Sequence, residues 1–209
     1  MLSEISRRFR VRRMRRFARE FNLTAQTRIL DVGGLPDLWS GLAIQPRVTL
    51  LNTPRAAAEI TNAQTWVAGD GRSLPFPDQS FDIVFSNSVI EHVGDSTSQQ
   101  EFAREIVRVG RAYWVQTPNR WFPVEQHLLT PLIHWLPRTA QRAIVPRFTV
   151  WSAITRVPPL GRRFYLDHYL NDIRLLSPAE LQSLFPSARI IRERFCGITK
   201  SVIAMSRFT

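Results

Sequence analysis

The stretch GDGRSLPFPDQSFDIVFSNSVIEHV (residues 69–93) decides how this chain is read. Its centre, SFDIVFS (80–86), puts Phe81, Ile83 and Phe85 on one face, which predicts a strand. Behind that strand come Asn87, then Glu91 and His92; ahead of it lies the glycine-flanked Asp70. Working outward, TWVA (65–68), RVTLL (47–51) and RILDV (28–32) read as short apolar strands, the last ending in Gly33-Gly34. Leu35, Leu38, Trp39 and Leu42 recur at helical spacing after that glycine pair, with Pro36 at a tolerated first position. Pro54 to Ile60 reads as another short helix. Gln99 to Val109 carries Phe102, Ile106 and Val109 at helical spacing, and AYWVQT (112–117) reads as a fifth strand.

Strands alternating with helices in this rhythm imply an α/β fold, a doubly wound and mostly parallel sheet with helices on both faces. Residues 119–175 break the rhythm. They hold six prolines and three tryptophans, and read as an insertion, or lid, of short helices and loops. Order returns at SPAELQSLF (177–185), where Ser177, Pro178 and Glu180 form a helix-start signature. ARIIRERF (188–195) and KSVIAMSRF (200–208), joined tightly at Gly197, predict an antiparallel pair. The expected sheet therefore has seven strands, the last antiparallel. Ahead of the 23–209 domain, residues 1–22 read as a basic helical arm.

Composition narrows the function. The 209 residues carry a net charge of +11, with 44% apolar and 11% aromatic residues. That suits one domain with a full core and excludes a disordered chain. Residues 1–20 alone hold eight Arg against two Glu, so the domain itself is only mildly basic. The arm's apolar positions spread over a wide arc that includes Arg10 and Arg13. Three uses of it stay open: packing on the domain through its aromatics, peripheral contact with an anionic membrane, and nucleic-acid contact. No run reaches the roughly 18–20 apolar residues of a membrane span. One cysteine, Cys196, excludes an intrachain disulfide and fits the cytoplasmic location we expect.

Taken singly, the polar residues at strand ends are ambiguous. Gly33-Gly34 is a plain turn as readily as a ligand cradle. Asn52 suits a helix cap as well as a ribose contact, and Asp70 suits an Asx turn. Taken together, D-V-G-G, the 69–93 stretch, an Arg-containing helix and a strand ending Q-T-P-N resemble the class I S-adenosylmethionine-dependent methyltransferases, in their type 11-like branch. The resemblance spans about residues 27–118 and 177–208. It implies S-adenosyl-L-methionine as cofactor. Asp31, Gly33 and Gly34 would then line its aminocarboxypropyl end, and Asn52 would face the ribose. Asp70 would meet the adenine amine, Gly71 the adenine edge, and Asn87 the methionine portion. Two positions depart from that family's pattern. Leu35 and Asp37 replace spaced glycines, and Asn52 replaces an acidic residue, which costs charge assistance worth about 1 kcal/mol.

Methyl transfer is an in-line displacement that alignment and desolvation can largely drive. His92, Glu125 and His127, together with Glu91, are the candidates for proton handling, since they follow the fourth and fifth strands. Some relatives bind a divalent ion with a Glu-x-x-Glu-His group; Ser88 stands in place of its first Glu, so no metal is expected. The Glu101–Glu105–Arg108 run is expected to be a solvated helix face. The acceptor expected is a hydroxyl, carboxyl or amine of a small or lipid-linked molecule, with a glycan among the candidates. Two other readings are a non-catalytic binding protein on the same fold and an RNA methyltransferase. The latter ranks lower because no N/D-P-P-Y/F-type base pocket follows the fourth strand, so nucleic acid is not the partner expected.

Overall fold

A computed structural model describes residues 2–53, 65–155 and 159–207. The apolar run Arg28–Val32 becomes β1, buried at four of five positions. Arg47–Asn52 (β2) pairs with it on one side, with Thr65–Ala68 (β3) beyond. Phe81–Asn87 (β4) pairs on the other side, followed by Gly110–Pro118 (β5), and all five strands are parallel. A small hairpin, Val124–Glu125 (β6) with Thr130–Pro131 (β7), stands apart in the insertion. Arg189–Phe195 (β8) takes the sheet edge. Ile198–Ser206 (β9) fits antiparallel between β8 and β5, giving the order β3-β2-β1-β4-β5-β9-β8. Strand order reverses between β1 and β4, which opens a crevice at the strands' carboxyl ends.

Both faces of the sheet are covered. Leu2–Glu20 (α1) lies on one, burying Met14 and Phe17 against Ile29, Phe85 and Trp114. The Phe17 ring sits 4.9 Å from Phe85 and 5.6 Å from Trp114. Ser96–Val109 (α2), capped by Asp95, lies on the other and buries Phe102, Ile106 and Val109 against Leu30, Val84 and Val115. Basic though it is, α1 is thus packed on the sheet. Arg13, the residue that spoiled its apolar arc, is buried. Its guanidinium donates to Glu193 at 2.5 Å, Asn87 Oδ1 at 2.5 Å and Gln116 Oε1 at 2.8 Å, tying α1 to β8, β4 and β5.

Four expectations need correction or placing. The helix expected after Gly34 is only a 3-10 turn, Pro36–Leu38. Its i→i+3 bonding continues from Leu42 to Trp39, and the Trp39 indole turns inward to Asp31 instead of extending a helical face. The Pro54–Ile60 helix lies outside the described residues. The insertion is more ordered than loops and short helices. Arg138–Ile144 (α3), Val150–Ile154 (α4) and Pro159–Asp172 (α5) gather a small core of Leu128, Ile133, Val145 and Leu166. Pro178–Leu184 (α6) follows with the expected capping box. Lastly, Glu105 and Arg108 are not a plain solvated face. Glu105 accepts the Leu74 N–H at 2.7 Å. Arg108 donates to the Leu74 and Phe76 carbonyls and to Asp78, pinning the Leu-Pro-Phe-Pro-Asp loop to α2.

Candidate active site

At the carboxyl ends of β1, β2 and β3 the chain makes three tight turns around one hollow. Gly33 leaves β1 at φ +78°, its N–H bonded to the Leu51 carbonyl at 2.7 Å. A Cβ there would fall 2.4 Å from Val89, so glycine is required by conformation and by space. Asn52, ending β2, donates to the Gly34 carbonyl at 3.3 Å and accepts the Thr53 N–H at 2.9 Å. Asp70 forms an Asx turn by accepting the Arg72 N–H at 2.9 Å, and the Arg72 guanidinium reaches it at 2.6 Å. That hydrogen bond holds the Asp70 carboxyl below the usual range. The hollow has a volume of about 450 Å³. Gly33, Asn52, Asp70 and Gly71 line it on one side, with Leu51, Val93 and Phe102 as apolar wall and His92 and His168 beyond. Backbone-lined floor, apolar wall and a carboxylate at the mouth fit an adenosyl ligand, and the volume lies in the range of small-molecule sites.

Three expected cofactor residues are not in that lining. Asp31 is fully buried beneath Gly34 and accepts the Trp39 indole N–H at 2.8 Å; burial pushes its carboxyl up to about 7. Gly34 lies over that carboxylate, and a Cβ on it would stand 1.8 Å from Asp31 Oδ2. Asn87 faces Arg13 on the α1 side of the sheet.

The proton-handling candidates do come together. His127, at the insertion's β6–β7 turn, bonds Glu125 Oε1 through Nδ1 at 2.6 Å, and its Nε2 lies 3.2 Å from His92 Nε2. Glu125 is buried, and its second oxygen accepts the Leu128 N–H at 2.6 Å. His92 stacks on His168, which bonds Asp172 at 2.7 Å. Burial, with the neighbouring His127 and His168, pushes His92 down to about 4. Burial opposes charge on His127 too, but the Glu125 carboxylate outweighs it and raises that group. Glu91 is fully buried and pushed up to about 7 by burial. Of the expected set, Glu125 and His127 lie behind His92 and outside the cavity lining, while His92 reaches it. His168 was missed; its only sequence signal was the i, i+4 spacing to Asp172, which says nothing of His92.

The comparisons with known proteins fall into place on this geometry. Residues 40–112 match a family described as a methyltransferase domain. That match covers about a third of the chain. The strand order is that of the class I methyltransferase fold. Ajmaline N-methyltransferase of Rauvolfia serpentina is 36% identical to this domain over 70 residues, 33% of the chain, and the match spans 23% of that relative's length. A putative methyltransferase from an antibiotic biosynthesis pathway of Anabaena variabilis aligns at TM-score 0.53 and 19% identity, over 88% of the chain and 64% of its own. PigF with SAH aligns at TM-score 0.51 and 14% identity, over 92% and 60%. These two structures share the domain's fold. Among the domain's described residues, no helix is long and apolar enough to cross a membrane.

Proposed function

We propose that the chain is an enzyme transferring a methyl group from S-adenosylmethionine to a small acceptor. The observation that carries this reading is the hollow itself. Gly33, Asn52, Asp70 and Gly71 meet at the switch point of the sheet, and a histidine wall closes the far side. In this reading the Asp70 carboxylate would take the adenine amine, Asn52 a ribose hydroxyl and Gly71 the adenine edge, with Phe102 in the apolar wall of the same hollow. Asp31 acts from underneath, shaping the Gly33-Gly34 turn. The cofactor supplies an electrophilic methyl on a sulfonium. His92 faces the acceptor's exchangeable proton, and His127, its ring fixed by Glu125, backs His92 through the Nε2–Nε2 contact. The apolar wall keeps water from the reacting atoms.

The acceptor we favour is small, with an amphipathic or lipid-linked one as its extension. Exposed Trp121 and Phe148 on the insertion, beside Arg120 and Arg147, suit such a molecule. Since α1 spends Met14 and Phe17 on the sheet, its basic face, with Arg12, Arg15 and Arg19, is the part that would meet an anionic surface. The test is to incubate the protein with methyl-labelled S-adenosylmethionine and a metabolite and lipid extract. Label is expected in a discrete extract component, dependent on the protein. Label staying wholly in the donor, with extracts from several sources, would overturn the reading.

A further inference from the structure

Glu91, His92 and His127 place one donor atom each within 4.8 Å of one another. Three features distinguish this group from a chance cluster. First, Glu91 is fully buried, with Oε2 accepting the Thr117 hydroxyl at 2.9 Å while Oε1 has no hydrogen-bond partner. Second, the two imidazoles meet Nε2 to Nε2 at 3.2 Å. A tetrahedral ion with metal–nitrogen bonds of about 2.0–2.1 Å holds two nitrogens about 3.3 Å apart, so this spacing suits a shared ion. Third, the outer partners are in place. Glu125 accepts from His127 Nδ1, which leaves Nε2 as the unprotonated nitrogen that can ligate, and Glu125 is itself fixed by the Leu128 N–H. Such carboxylate–histidine pairs commonly orient metal ligands.

We propose that Glu91, His92 and His127 form a binding site for a first-row divalent cation of the zinc type. Two imidazoles and one carboxylate with a position left open is the donor set of catalytic rather than structural zinc sites. The insertion supplies His127, a ligand distant in sequence from Glu91 and His92. Because His92 also lines the hollow, the ion lies at the acceptor's side of it. There it takes the place of direct proton uptake by His92 and favours an oxygen acceptor, hydroxyl or carboxyl, that can coordinate. Only this last step, the acceptor's class, rests on the methyltransferase reading.

The test uses the full chain without an affinity tag, stripped with chelator and titrated calorimetrically with zinc chloride. One ion per chain is expected, with Glu91→Gln and His127→Gln each weakening binding at least about 30-fold. Glu125→Gln, which removes only the outer partner, is expected to weaken it about 10–100-fold. His134→Gln, outside the cluster, leaves it unchanged. If the ligand variants fail to fold, cobalt(II) added to the unaltered chain gives an independent readout: visible absorption of a four- or five-coordinate ion, displaced by zinc. Absent stoichiometric binding, or binding that all variants retain, overturns the site. S-adenosylhomocysteine is titrated into the same sample. A chain that binds it but no zinc loses the metal site alone, whereas one that binds zinc but no nucleoside keeps the site and loses the methyltransferase reading.

Discussion

Arg13→Met is expected to lower stability by about 3 kcal/mol, although the residue lies on a helix that reads from sequence as a basic arm whose use stays open. Methionine keeps the apolar stem's packing and removes only the guanidinium. Glu193, whose side chain is 12% exposed, then loses its cation, and the Asn87 and Gln116 oxygens lose a donor. Breaking a buried pair by removing one partner costs more than the pair contributes, because the other charge stays buried. For a chain of this size that corresponds to a fall in Tm of about 6–12 °C. Adding Glu193→Gln to the variant should restore part of the loss, since the stranded charge goes with it. Thermal melts of the single and double variants check this. A shift under about 2 °C for Arg13→Met would mean that α1 is peripheral to the fold.

Gly34→Ala is expected to cost about 4 kcal/mol and to weaken nucleoside binding. The added Cβ would stand 1.8 Å from Asp31 Oδ2 and 2.1 Å from its Cγ, so the carboxyl must turn. Turning it breaks the bond from Trp39 and leaves a buried indole N–H unpaired, at about 1–3 kcal/mol. Overpacking adds about 1–3 kcal/mol. Gly33, which lines the hollow, is the next residue in the chain, so the floor of the hollow shifts with Gly34. Gly41→Ala is the control, because nothing lies within 4 Å of a Cβ there. Its effect should stay within about 0.5 kcal/mol. Urea unfolding of both variants separates the two; equal midpoints would refute the Asp31–Gly34 fit.

The seven strands were legible because each is a short apolar run bounded by turn residues, and their ends moved by only one or two residues. Strand ends such as Val32, Asn52 and Asn87 could be placed on one edge from the α/β rhythm alone. Which side of that edge a residue faces could not. Asn87 alternates to the α1 face and meets Arg13, whereas Ser88, at φ +58°, turns into the hollow. Arg13 itself broke the apolar periodicity because its partners are 74 to 180 residues away, beyond any local pattern. The same limit applies to the histidine wall. Glu125 and His127 are neighbours in sequence and were read together, but their meeting with His92 depends on how the insertion folds back. The Leu-Pro-Phe-Pro-Asp loop is part of the 69–93 stretch that carries the resemblance, yet what holds it, Arg108 on two of its carbonyls, appears only in three dimensions.

The central claim is that the hollow at the ends of β1 to β4 binds an adenosyl donor, and calorimetric titration with S-adenosylhomocysteine tests it most directly. The account predicts saturable binding at one site per chain. Asp70→Ala should weaken that binding by about 10–100-fold, the worth of one hydrogen bond to a charged group. No saturable heat at millimolar ligand, in protein whose circular dichroism and melt show it folded, would contradict it.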